Sequence, residues 1–183
     1  MAPAQIVVGY DASPLSELAL YRALRSAQKS VFCMVNILMV AEKTAAGVRL
    51  PSGENVPSWV ARETLRHDLQ EKASRWGIED PRIRILANLR WGEPAQEIVE
   101  FSYRMHAEQI MVGARSSTSS SLRIGSTAQQ ILGLTDIPVH VEAASHGPFE
   151  ATSPNAIEKW GYAVRGRTLF SSSFPAWRAP ASA

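Results

Sequence analysis

The sequence predicts an α/β fold in which an open parallel sheet carries helices on both faces and a C-terminal extension follows. Three observations carry that expectation. Apolar runs of strand length alternate with amphipathic stretches of helix length from Gln5 to Glu142, with no internal repeat, which is the pattern of successive β-α-β units. The leading run, QIVVGY at Gln5–Tyr10, is unbroken, as a strand covered on both faces requires. Proline stands at helix starts, at Pro14 and Pro94, where its missing N–H costs nothing. Right-handed crossovers then restrict the topology.

The elements follow in order. Gln5–Tyr10 is the first strand and breaks at Asp11. Ser13 caps a helix, Pro14 takes its first position and Glu17 puts an acid in its first turn. Leu20, Leu24 and Ala27 keep helical spacing to about Lys29. Val31–Val40 is a second apolar strand, and residues 42–57 read as a mobile loop. Ser58–Trp76 is a helix with Leu65, Leu69 and Trp76 on one face, stopped by Gly77. Ile83–Leu89 is a strand, and Glu93–His106 a helix that buries Ile98, Phe101 and Met105. Gln109–Val112, Ser126–Leu134 and Pro138–Glu142 complete the domain as strand, helix and strand.

Composition bounds the function. The chain has 183 residues and 45% apolar content, enough for one domain with a peripheral piece. No apolar run approaches the roughly 18 residues of a membrane span, and the N-terminus does not read as a secretory signal. A single cysteine, Cys33, sits in an apolar run and reads as a buried inert thiol. A cytoplasmic protein is therefore expected. Residues 1–143 balance 15 Lys+Arg against 15 Asp+Glu, and the net charge of +2 resides in the tail. A neutral body argues against a nucleic-acid grip, which needs a clustered basic face.

The candidate site lies where strands end. In open α/β sheets ligands bind beyond the carboxyl ends of the strands, where the strand order reverses. Gly9-Tyr10-Asp11-Ala12-Ser13 closes the first strand, and Gly113 opens the serine-rich loop after the fourth. If those strands are neighbours, both features share one crevice. Gly113 allows close backbone approach, and Gly125-Ser126 opens a helix whose free N–H groups favour a phosphate. Arg115 and Arg123 supply positive charge, and Asp11 suits a ribose hydroxyl or a magnesium ion. Each piece also has an ordinary reading, as a turn glycine, a helix cap or a helix start. Their joint placement is what points to a nucleotide.

Other chemistry fits less well. An aspartyl phosphoacceptor after the first strand needs an acidic cluster to hold magnesium, and Gln5–Tyr10 contains no acid. A dehalogenase-like site wants a second acid where Ser13 stands. His67, His106, His140 and His146 show no metal-ligand spacing. No set of residues is arranged for catalysis, so a role other than that of an enzyme is expected.

Three segments resemble the universal stress protein family: IVVGYDASP with ALRSA, then WGEPAQEIVEFS, then IMVGARS with IGSTAQQILGLTDIPVHV. The resemblance runs from about Ile6 to Val141 in the right order. It implies a five-stranded parallel sheet of Rossmann-like type in the order 3-2-1-4-5, usually dimeric through the last strands. One subgroup of that family binds ATP and is marked by Gly, two residues, Gly, nine residues, then Gly-Ser or Gly-Thr. This chain has Gly113, then Ser116 in place of the second glycine, and only eight residues, Ser117–Ile124, before Gly125-Ser126. By position, the resemblance puts Asp11 at ribose, phosphates or Mg2+, and Gly9 with the backbone of Ile37 near the base. It places Gly113, Ser116, Gly125, Ser126 and Thr127 around ribose and phosphates.

Two readings therefore stand. One is a non-catalytic stress-response protein that binds ATP between strands one and four. The other is a nucleotide-free dimeric interaction module, with the serine-rich loop and the tail as partner surfaces. In both, Pro138–Glu142 is an apolar edge that needs covering, and a homodimer through it is expected. The domain boundary falls at 143. The tail, 144–183, is rich in Ser, Pro and aromatics; Trp160–Phe170 reads as a hairpin turning near Arg165–Gly166, and for the tail as a whole docking on the domain or on a partner stands beside disorder.

Overall fold

A computed structural model of the chain describes residues 2–45, 47–50, 53–114, 124–143 and the backbone of 162–165. Its strands are β1 (Ala4–Gly9), β2 (Cys33–Val40), β3 (Glu42–Thr44), β4 (Gly47–Arg49), β5 (Asn55–Val56), β6 (Ile83–Arg90), β7 (Gln109–Gly113), β8 (Val139–Ala143) and β9 (Tyr162–Arg165). The helices are α1 (Pro14–Ala27), α2 (Ser58–Arg75), α3 (Pro94–Arg104) and α4 (Ser126–Leu134). The main sheet runs β6-β2-β1-β7-β8-β9. Its first five strands are parallel, and they reproduce the expected order 3-2-1-4-5.

Side-chain parity divides the core. In β1, Ile6 and Val8 point to one face and Val7 and Gly9 to the other, because strand side chains alternate. Helices α1 and α2 cover one face, and the ring of Tyr21 meets that of Trp76 edge-on, 5.4 Å between centroids. Helices α3 and α4 pack together on the opposite face. Leu18, Leu20, Leu24, Ile37, Leu38, Leu69, Ile110 and Ile131 are fully buried between these layers. Cys33 is buried as expected, and burial pushes its thiol up to about 11.

One segment differs from expectation, and a second adds to the sheet. The loop 42–57 folds into a separate antiparallel sheet, β3-β4-β5. Its strands are two or three residues long, too short for a period-two pattern to show in sequence. In the tail, Tyr162–Arg165, within the segment expected to form a hairpin, is a strand that pairs antiparallel with β8, Val141 opposite Val164. The supposed turn at Gly166 and the rest of 144–183 lie outside the described residues. Thus the extension contributes a strand to the domain, and the β8 edge is covered from within the chain.

Candidate functional site

The main sheet reverses its direction of growth at β1: β2 and β6 lie on one side, β7 and β8 on the other. Gly9 pairs with Val112, so the carboxyl ends of β1 and β7 are adjacent. A cleft of about 380 Å³ opens there, and Gly9, Asp11, Gly113, Gly125, Ser126 and Thr127 line it. The sequence features of strand one and strand four do share one crevice.

Ile37 does not line it. The lining comes from Leu38 and Val40 of β2, with Ile98 of α3 opposite. Ile37 is fully buried and pairs with Val8, so strand alternation puts its side chain on the α1/α2 face. Its neighbour Leu38 accepts the Tyr10 N–H through its carbonyl, at 3.0 Å. Parity with Gly9 could have identified Leu38, but only once the β1–β2 register was known. Ser116, with Arg115 and Arg123, lies outside the described residues.

The glycines are needed mainly for packing. A Cβ on Gly113 would stand 2.7 Å from Leu15 C and 2.7 Å from Ser16 N, so the first turn of α1 rests directly on the end of β7. A Cβ on Gly9 would meet Ile98 Cδ1 at 2.8 Å. Neither residue has positive φ. Close backbone approach was expected toward a ligand, and at Gly113 it is toward a helix. That contact brings Asp11 and Ser13 to the mouth of the cleft.

Asp11 is exposed, and its Oδ1 accepts the Ser13 N–H at 3.0 Å. Ala12 between them takes φ +60°. Among the described residues, Asp11 Oδ2 has no partner and remains available to a hydroxyl or a cation. Ser13 Oγ in turn accepts the Ser16 N–H at 3.3 Å, which caps α1. Helix α4 is different. Its cap is Gly125, no side chain bonds to its first turn, and that turn holds no acid. The first helical bond is from Gln129 N–H to the Gly125 carbonyl. The N–H groups of Ser126, Thr127 and Ala128 therefore have no acceptor within the helix, at a lining of the cleft. They form an anion-binding end beside a carboxylate and hydroxyls.

The wall behind Asp11 is a polar network. Tyr10 donates its hydroxyl proton to Asp68 Oδ2 at 3.0 Å, and burial, then the charge of Asp68, holds its phenol well above the usual range. Lys72 bonds to Asp68 and lies 3.2 Å from Glu17. Burial pulls the lysine down, but the Asp68 hydrogen bond and the Glu17 charge outweigh it and hold it raised. The network ties the end of β1 to α1 and α2.

Asp11 is the one carboxylate among the described lining residues, and no described residues form a cluster of three or more metal-ligating side chains. Such a donor set suits Mg2+ held jointly by a carboxylate and ligand phosphates, which is how that ion commonly binds. No described helix is long and apolar enough to cross a membrane.

A family model described as the Universal stress protein family matches residues 4–141. Among solved structures, the chain is similar to universal stress protein UspA from Lactobacillus plantarum, at 20% identity over 77% of this chain and 99% of that one, TM-score 0.53. It is also similar to the universal stress protein from Archaeoglobus fulgidus in complex with dAMP, at 22% identity, 77% and 98% coverage, TM-score 0.53. A third is a universal stress protein family protein from Arabidopsis thaliana with AMP bound, at 16% identity, 82% and 100% coverage, TM-score 0.52. At these identities the likeness shows the fold. No curated protein matches the sequence.

Proposed function

The chain belongs to the universal stress protein family, and from that premise we propose that it is a non-catalytic stress-response protein that binds an adenine nucleotide, ATP, between β1 and β7. The uncapped N-terminus of α4, facing Asp11 across a cleft of about 380 Å³, carries this reading. Pockets of roughly 300–1,000 Å³ suit ligands of this size. The phosphates lie on the N–H groups of Ser126 and Thr127. Asp11 takes a ribose hydroxyl or a phosphate-bound Mg2+, and the base rests on Leu38 and Val40. Structures of family members with AMP, cAMP and dAMP support the ligand class.

The competing reading is a nucleotide-free dimeric interaction module. Ser116 in the place of the second motif glycine, and the loop one residue short, favour it. Thermal unfolding with and without Mg-ATP separates the two. Ligand at about 100 times its Kd adds roughly 2.7 kcal/mol, a rise of about 5–10 °C for a domain of this size. The rise is expected in the wild type and absent in Gly125→Val. Gly125 has φ −63°, so the backbone there tolerates valine, whose side chain crowds the α4 N-terminus where the phosphate would sit. An unchanged midpoint at millimolar ATP would favour the nucleotide-free reading.

A further inference from the structure

A second cleft, of about 600 Å³, lies between the small sheet, the start of α2 and Trp91 at the end of β6. It shares no lining residue with the nucleotide crevice. Trp59 is 72% exposed and Trp91 40% exposed, both on this cleft. Two tryptophans left in water beside one another's surroundings are unusual, since their large apolar faces are normally buried or used for binding. Lys43 and Arg62 line the same cleft, and no acid does. Among the described residues neither cation makes an ion pair, while the Arg and Lys residues elsewhere on α2 pair with Glu63, Glu17, Asp68 or Glu71.

One backbone feature aims positive potential into this space, and another shapes its wall. Helix α2 begins after Pro57, without a side-chain cap and without an acid in its first turn, so its first N–H groups face outward unneutralised. Gly47 has φ +139°, and a Cβ there would stand 2.1 Å from the Val56 carbonyl oxygen. The same Cβ would stand 2.9 Å from Pro57 Cα, so β4 lies close against the residue that opens α2. The hydroxyl oxygen of Thr44, another lining residue, is buried with no hydrogen-bond partner. Next to Trp91, Gly92 takes φ +143°, and a Cβ there would stand 2.8 Å from Glu97 Oε1, so the turn from β6 into α3 requires glycine at this point.

We propose that this cleft binds a flat aromatic ring bearing a phosphate or carboxylate, with the ring on Trp59 and Trp91 and the anion on Lys43, Arg62 and the α2 N-terminus. Aromatic faces favour a planar ring, and two cations at a helix start favour the charge it carries. Neither feature alone selects such a ligand; their juxtaposition does.

The indole N–H resonances of the five tryptophans provide the test, assigned with Trp59→Phe and Trp91→Phe. The full chain is titrated with phenyl phosphate, benzoate, phenol and inorganic phosphate. Saturable shifts of the Trp59 and Trp91 signals are expected with one or both aromatic anions, and which of them binds decides between phosphate and carboxylate. Phenol and inorganic phosphate should bind at least about tenfold more weakly, and the Lys43→Glu, Arg62→Glu double variant should lose about tenfold or more. Both substituted residues are exposed, so the variant should fold, as its unchanged spectrum elsewhere would show. A response to phenol equal to that of the anions makes the cleft a plain apolar patch and overturns the proposal. Equal binding of inorganic phosphate reduces it to an anion site, and absence of saturable shifts removes it. Gly125→Val should leave the response intact, so failure here and failure of the nucleotide reading are separate results.

Discussion

Gly113 and Gly125 are both motif glycines, yet they do different physical jobs. Gly113 seats the α1 backbone at 2.7 Å, so Gly113→Ala should cost about 1–3 kcal/mol by overpacking. The ligand-free midpoint should fall by several degrees. Gly125→Val, which puts a poorer cap on α4, should lower that midpoint by no more than about 1 kcal/mol's worth and remove the response to Mg-ATP. A calorimetric comparison of the two variants distinguishes the packing glycine from the binding one. Glu142 gives a pH signature. Its side chain is 2% exposed, and burial raises its carboxyl to about 7, against a smaller lowering by Arg22 at 3.4 Å. That contact is an ion pair and not an aligned hydrogen bond, because Glu142 Oε2 is buried with no hydrogen-bond partner. A carboxyl raised from 4.5 binds its proton more tightly when folded. Its contribution is full below pH 4.5 and is lost as pH rises through about 7. Glu142→Gln should therefore gain on the wild type between pH 5 and 8, by up to about 3 kcal/mol, and a pH series of denaturant midpoints checks it. Cys33 should react with a thiol reagent only on unfolding, since its thiol is buried and raised to about 11.

At the scale of elements, two helix starts and one strand edge matter. Helix α1 is capped by Ser13, while α4 begins on Gly125 with its N–H groups free. Ser126→Asp should support α4 through its dipole and repel a phosphate at the same point. The expected outcome is an unchanged or slightly raised midpoint without ligand and loss of the Mg-ATP shift. A variant that still shifts would move the phosphates away from α4. For self-association we propose the Pro138–Glu142 edge, with the tail strand included in the interface. Tyr162–Arg165 lies along β8, so a second copy at this edge meets β9 first. Removing 144–183 uncovers the β8 edge, and unpaired edges promote association. The truncated chain should show a larger or more heterogeneous mass by light scattering than the full chain.

For the whole molecule, the succession of strands and helices was legible because each central strand is a continuous apolar run and each helix carries its own boundary chemistry, while the strand order 3-2-1-4-5 came from the family resemblance. QIVVGY, the Ser13-Pro14 start and Gly77 after α2, with φ +65°, act within a few residues. Local sequence thus determined the α/β class and the order of elements, and it put Asp11 and Gly113 at strand ends and Gly125-Ser126 at a helix start; the pairing of β1 with β7 brought them together. The small sheet was not legible, because strands of two or three residues hold no periodicity and depend on partners such as Val48 opposite Val56. Ile37 was expected near the base through its backbone; that the side chain lining the cleft is its neighbour Leu38 was not legible for a related reason: the facing side of a strand is set by register against its neighbour, a long-range property. Only tertiary structure decided that Gly113 packs on α1, that the tail covers β8, and that Trp59 of α2 and Trp91 after β6 line one cleft. Composition and capping act between near neighbours in the chain, whereas a cleft shared by residues 32 positions apart, Trp59 and Trp91, exists only once the chain has folded.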